Sequence, residues 1–156
     1  MQSVEILIII LVSEKPQERN ARNEFKYPLN CQNKDCTYEV KWTKIDNEIE
    51  VTVSAMAMDE SDWIGVGFSK NNVMPETDIV VGFFDENGNA IVKDYYSFFY
   101  SPPTEDKSQD IKDTSLSRKD GLTTMKFKRS INSSDEVHFQ MKRILGTVLY
   151  LQYWPN

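Results

Sequence analysis

The sequence is poor in the residues that enzymes and metal sites use most often. It contains one histidine, His138, and two cysteines, Cys31 and Cys36. One histidine and a close cysteine pair cannot supply a histidine-rich copper or zinc site, and no Ser-His-Asp set can be built around them. No glycine-rich phosphate loop precedes a helix. We therefore predict that this chain alone has no catalytic residues.

Basic runs and long apolar runs are also missing. The formal net charge is -6, whereas proteins that bind nucleic acid need a basic face to neutralise phosphates. This excludes nucleic acid as a partner, and the acidity favours a role in solubility. The apolar run over residues 6–12 is too short to span a bilayer. We expect contact with a membrane only if the chain is part of a longer protein.

The beginning of the chain has features of a secreted protein. Residues 6–12 resemble the apolar core of a signal peptide, although no basic segment precedes them. We predict a signal segment over residues 1–13 and a flexible lead over residues 14–30; the alternatives for the apolar run are an edge strand or a misassigned start. Asn132 begins a glycosylation acceptor tripeptide. These features predict a secreted, lumenal or extracellular protein.

The two cysteines are close in sequence and lie in a polar segment. In an oxidising compartment, Cys31 and Cys36 would close a small disulfide loop before the first core strand, and we predict this bond. The alternative is a pair of free thiols.

Alternation of apolar and polar residues dominates after the lead, and no segment keeps a helical period. We predict an all-β fold over residues 31–156, a two-sheet antiparallel β-sandwich of roughly nine to eleven strands. Ile49, Val51 and Val53 share one strand face, which we expect to be buried against Trp63 or Val66. The predicted strands cover residues 38–42, 49–57, 63–68, 79–84, 90–95, 122–129, 137–141 and 147–154, with turns at 46–47, 85–88 and 120–121.

A set of short motifs is more specific than the alternation. Residues 62–69 read DWIGVGFS, and Met74 follows in a short link. Further motifs are DIVVG at 78–82, DENG at 85–88, KDYY at 93–96, QD at 109–110 and FKR at 127–129. Together they resemble the DOMON family, the β-sandwich domain named for the N-terminal part of dopamine β-monooxygenase. The resemblance covers most of the chain, from about Cys36 to the C-terminus.

This resemblance implies a binding function and one cofactor hypothesis, haem b. Many DOMON domains bind haem b, with the methionine of the link as one axial ligand, which corresponds to Met74. The second ligand in such members is a histidine after the last strand, whereas His138 lies in an earlier strand on its polar side. We therefore expect Met74 beside an apolar cleft and His138 facing away from it.

Trp63, Phe68 and Tyr95 are the aromatic residues that we assign to a cleft for haem or a sugar, although alternating aromatic residues more often belong to the core. Met74 has its own structural alternative, as a methionine packing over the mouth of the sandwich. We predict a ligand-binding or interaction module. The alternatives are a haem b electron-transfer domain and the regulatory domain of a copper monooxygenase whose catalytic domains lie elsewhere.

Overall fold

The computed structural model describes residues 23–32, 35–56, 62–68 and 75–131. Within these ranges the chain forms nine strands, and no helix there has the length and apolarity needed to cross a membrane. The strands are β1 (Glu24–Tyr27), β2 (Tyr38–Ile45), β3 (Glu48–Met56), β4 (Ile64–Phe68), β5 (Thr77–Phe84), β6 (Ala90–Ser97), β7 (Thr104–Glu105), β8 (Ile111–Lys119) and β9 (Leu122–Ser130).

Two antiparallel sheets pack face to face, which confirms the predicted sandwich. The first sheet has the order β1-β2-β3-β9-β8, and the second has the order β4-β5-β6-β7. Three hairpins turn at the places that the sequence predicted, because Asp46, Gly88, Asp120 and Gly121 adopt the positive φ that tight turns require. The Asp85 carboxylate accepts hydrogen bonds from the backbone N–H groups of residues 87 and 89, which closes the β5–β6 turn.

The core lies between the sheets and contains the residues that alternation predicted. Ile49, Val51 and Val53 of β3 are at most 3% exposed, and they belong to the same buried cluster as Val66 of β4. A buried hydrogen bond also crosses between the sheets, where the Tyr38 hydroxyl donates to the Gly65 carbonyl oxygen at 2.6 Å. The prediction for this core is confirmed.

The Cys31–Cys36 disulfide is confirmed as well, with the two Cα atoms 5.2 Å apart. The expected flexible lead covered residues 14–30. Within this range, Glu24–Tyr27 forms β1 and pairs with β2 in the first sheet. The predicted signal segment, Asn132, His138 and the two expected strands after residue 132 lie outside the described residues.

Alternation did not predict β8. Most side chains of Ile111–Lys119 are polar and exposed, and the pairing of β8 with β9 is interrupted by an irregularity between Lys112 and Ser115. β8 is an edge strand with mostly polar side chains. It therefore lacks the alternation of apolar and polar residues on which the strand prediction depended.

Candidate functional site

One end of the sandwich combines the aromatic and charged residues that could bind a ligand. β4 ends here at Phe68, β5 begins at Thr77 and β6 ends at Ser97. Phe68, Asp78 and Tyr96 are direct cross-strand partners, so their side chains lie on the same face of the second sheet. We call this region the Phe68 end. Met74 belongs to the link between Phe68 and Thr77 and is itself outside the described residues.

Three consecutive aromatic residues follow β6 at this end. Phe98, Phe99 and Tyr100, which we call the aromatic tip, are 54%, 72% and 75% exposed. The Ser97 hydroxyl donates to the Phe99 carbonyl oxygen at 2.8 Å, and the ring centroids of Tyr96 and Phe98 are 4.7 Å apart. The tip is therefore held against the sheet while its rings face solvent.

The predicted cleft residues lie in different places. Phe68 is half-buried at the end that bears its name, whereas Trp63 precedes the other end of β4, about 16 Å away at the usual rise of a strand. Tyr95 pairs with Ile79, so alternation puts it on the opposite face of β6 from Tyr96. Among the predicted aromatic residues, Phe68 alone shares a face with the interior of the sandwich at this end.

Sequence reasoning missed a buried charge cluster directly beneath the Phe68 end, made of Asp78, Asp94 and Arg129. An Arg129 Nη2 atom lies 2.6 Å from Asp78 Oδ2, and the two side chains are 1% and 2% exposed. The Arg129 guanidinium also lies 4.8 Å from the centre of the Phe68 ring. Because Arg129 belongs to β9 and Asp78 to β5, this ion pair joins the two sheets.

Asp94 is the third member of the cluster and is fully buried on β6. The pKa of Asp94 is raised to about 8, first by its burial and then by the nearby Asp78 carboxylate, while Arg129 lowers it in part. The pKa of Tyr96 is also raised, first by its burial and then by Glu76 and Asp78, so its hydroxyl stays neutral. These positions belong to the motifs of the family resemblance, and no signal in the sequence indicates that they meet.

Metal ligands of the usual kinds do not gather in this part of the chain. Across residues 23–32, 35–56, 62–68 and 75–131, no group of three or more His, Cys, Asp or Glu side chains is placed to hold a metal ion. The Phe68 end therefore offers aromatic faces at its surface and a buried ion pair beneath, which suits contact with a flat or apolar ligand surface.

Comparisons with known proteins agree with this architecture. A family model described as DOMON domain matches residues 34–150. Among solved structures, the cytochrome domain of cellobiose dehydrogenase from Myriococcum thermophilum is similar, with a TM-score of 0.51 and 15% sequence identity. The similarity covers 72% of this chain and 62% of that domain. At this identity the likeness is one of fold.

Proposed function

This chain belongs to the DOMON domain family, and we propose that it is an extracellular or lumenal module that binds a small ligand or a protein partner at the Phe68 end. The observation that carries the proposal is the aromatic tip, whose three rings are all more than half exposed. Contiguous exposed apolar surface on a soluble protein marks interaction sites. The Cys31–Cys36 disulfide supports an oxidising compartment.

Aromatic faces stack on flat apolar surfaces, which haem, sugars and protein side chains all offer. The test is isothermal titration calorimetry with two probes, hemin and a panel of soluble oligosaccharides. We expect Phe99→Ala to weaken binding by about 2- to 10-fold, which corresponds to the loss of one aromatic contact. Leu29→Ala is the matched control, because Leu29 is similarly exposed, at 75% against 72% for Phe99, but lies close in sequence to the disulfide. Equal affinity of Phe99→Ala and the wild type would contradict a site at the tip.

Haem b electron transfer is the second candidate, and the solved cytochrome domain of the same fold favours it. At the Phe68 end the described residues offer apolar ring faces, from Phe68, Tyr96 and Phe98, but no methionine or histidine. Iron ligation would therefore depend on Met74, with a histidine opposite it. Bound haem b would supply one-electron transfer, and a methionine ligand opposite histidine raises its potential.

A hemin titration followed at the Soret band separates this candidate from a haem-free module. If haem b binds through Met74, the wild type should show a Soret band of bound haem, and Met74→Ala should lose it. Met56→Ala is the control, because Met56 is an exposed methionine at the far end of β3, about 23 Å along the strand from Ile49, the partner of Arg129. Absence of the band in the wild type would contradict the haem candidate. The third hypothesis, a regulatory domain of a copper monooxygenase, stays a prediction from family resemblance.

A further inference from the structure

The carboxyl group of Asp94 lies in surroundings that do little to stabilise a negative charge. Its residue is 0% exposed, and neither of its oxygen atoms has a hydrogen-bond partner among the described residues. The neighbouring cation is already engaged, because Arg129 binds Asp78 through Nη2. The Nε and Nη1 atoms of Arg129 also lack hydrogen-bond partners within the described ranges, so the guanidinium does not reach Asp94 directly.

The backbone keeps Asp94 in this position. Its N–H group donates to the Gln109 Oε1 atom at 2.8 Å, and the Gln109 Nε2 atom donates to the Asp94 carbonyl oxygen at 3.0 Å. The Asp106 N–H group donates to the same carbonyl oxygen at 3.0 Å. The side chain therefore cannot turn towards solvent unless these bonds break.

The charges that face Asp94 are predominantly negative. Asp78 comes from β5, Arg129 comes from β9, and Asp106 and Asp110 come from the segment after β7. Asp78 lies diagonally across from Asp94 on the same sheet face, because Asp78 pairs with Tyr96 and Asp94 pairs with Val80. One guanidinium cannot neutralise two buried carboxylates, so the remaining charge favours the neutral acid.

We propose that Asp94 keeps its proton in the folded domain at neutral pH, and that losing this proton weakens the packing of the two sheets at the Phe68 end. The sandwich then contains a pH-sensitive switch. An unfolded aspartate titrates near pH 4, so the folded state binds more protons than the unfolded state from about pH 4 up to the raised pKa of about 8. The contribution of Asp94 to the free energy of unfolding should be fully present at the acidic end of this window. It should fall as pH rises through the window and level off above about pH 8.

The test is urea unfolding of the full chain at several pH values between about pH 5 and pH 8. As pH rises, the titration of Asp94 should raise the unfolding equilibrium constant of the wild type by about tenfold per pH unit. Asp94→Asn should lack this part of the pH dependence. Glu86→Gln is the control, since it removes an exposed carboxylate from the β5–β6 turn and should keep the wild-type slope. Equal slopes for the wild type and Asp94→Asn would overturn the proposal.

A second measurement keeps the test valid if Asp94→Asn does not fold. In the wild type labelled with ¹³C at aspartate carboxyl groups, one resonance should titrate above about pH 6.5, well above the ordinary aspartate range. In Asp78→Asn the midpoint should move down, because the neighbouring negative charge is gone. Titration of all aspartates below about pH 5 would overturn the proposal. So would stabilisation by calcium ions that Asp94→Asn abolishes, because a cation and not a proton would then balance the charge.

Discussion

Removal of the Arg129 side chain should strongly destabilise this sandwich. In Arg129→Met the Asp78 carboxylate stays 2% exposed and loses the guanidinium that lies 2.6 Å away. Breaking one side of a buried ion pair costs about 3–5 kcal/mol. Total stabilities of domains are about 5–15 kcal/mol, so the variant would lose a large fraction of its free energy of unfolding. For a domain of this size the melting temperature should fall by about 6–20 °C.

Urea unfolding, followed by tryptophan fluorescence and far-ultraviolet circular dichroism, would measure this loss. Arg118→Met is the matched control, because the Arg118 guanidinium also lies over a ring, 5.1 Å from the centre of Phe84, and also donates hydrogen bonds. Those bonds go to the Asp62 carbonyl oxygen and the Thr123 hydroxyl, which are neutral acceptors. We expect the control to lose about 1–2 kcal/mol, since these described acceptors of Arg118 are neutral.

The double variant Asp78→Asn/Arg129→Met tests the cause of the loss. If the cost comes from the buried charge of Asp78 after the loss of its guanidinium, neutralising Asp78 should recover at least about 2 kcal/mol of it, because replacing both partners of a buried pair is often close to neutral. Strictly additive losses would refute this reasoning. So would a loss for Arg129→Met no larger than that for the Arg118 control.

Two further predictions concern other links in the sandwich. Tyr38→Phe leaves the Gly65 carbonyl oxygen without the hydroxyl that donates to it at 2.6 Å, and should cost about 1–3 kcal/mol in urea unfolding; an unchanged midpoint would contradict the role of this bond between the sheets. Reduction of the disulfide, whose cysteines are separated by 5 in sequence, should cost about 2 kcal/mol because the loop is short. Identical midpoints with and without reductant would show that the bond does not stabilise the fold.

The strands that the sequence predicted are those in which one face is apolar. In β3, the buried residues Ile49, Val51 and Val53 alternate with polar side chains, so both the strand and its orientation follow from the period of two. β8 has no such face, and the short β7 lies inside a segment rich in proline and polar residues. Edge strands are held by backbone pairing with a neighbour, and a sequence pattern does not report that neighbour.

The aromatic tip shows a different limit of prediction. In a strand, successive side chains point to opposite faces, so three consecutive aromatic residues cannot all be buried on one face. Phe98, Phe99 and Tyr100 carried that signal, because they follow KDYYS without an alternating polar residue. The family resemblance and the alternation of aromatic residues predicted Trp63, Phe68 and Tyr95 instead, and the structure describes these three at separate positions.

The charge cluster explains why the family resemblance predicts the fold better than it predicts the ligand. Asp78, Asp94, Gln109 and Arg129 all belong to the motifs that suggested the DOMON family, and they meet beneath the Phe68 end. Their described hydrogen bonds and ion pair are with one another and with the backbone, where they join the sheets and hold β6. Motif residues that stabilise the sandwich in this way do not by themselves indicate a ligand. A ligand must therefore be inferred from other residues at the Phe68 end, of which the aromatic tip is the most exposed.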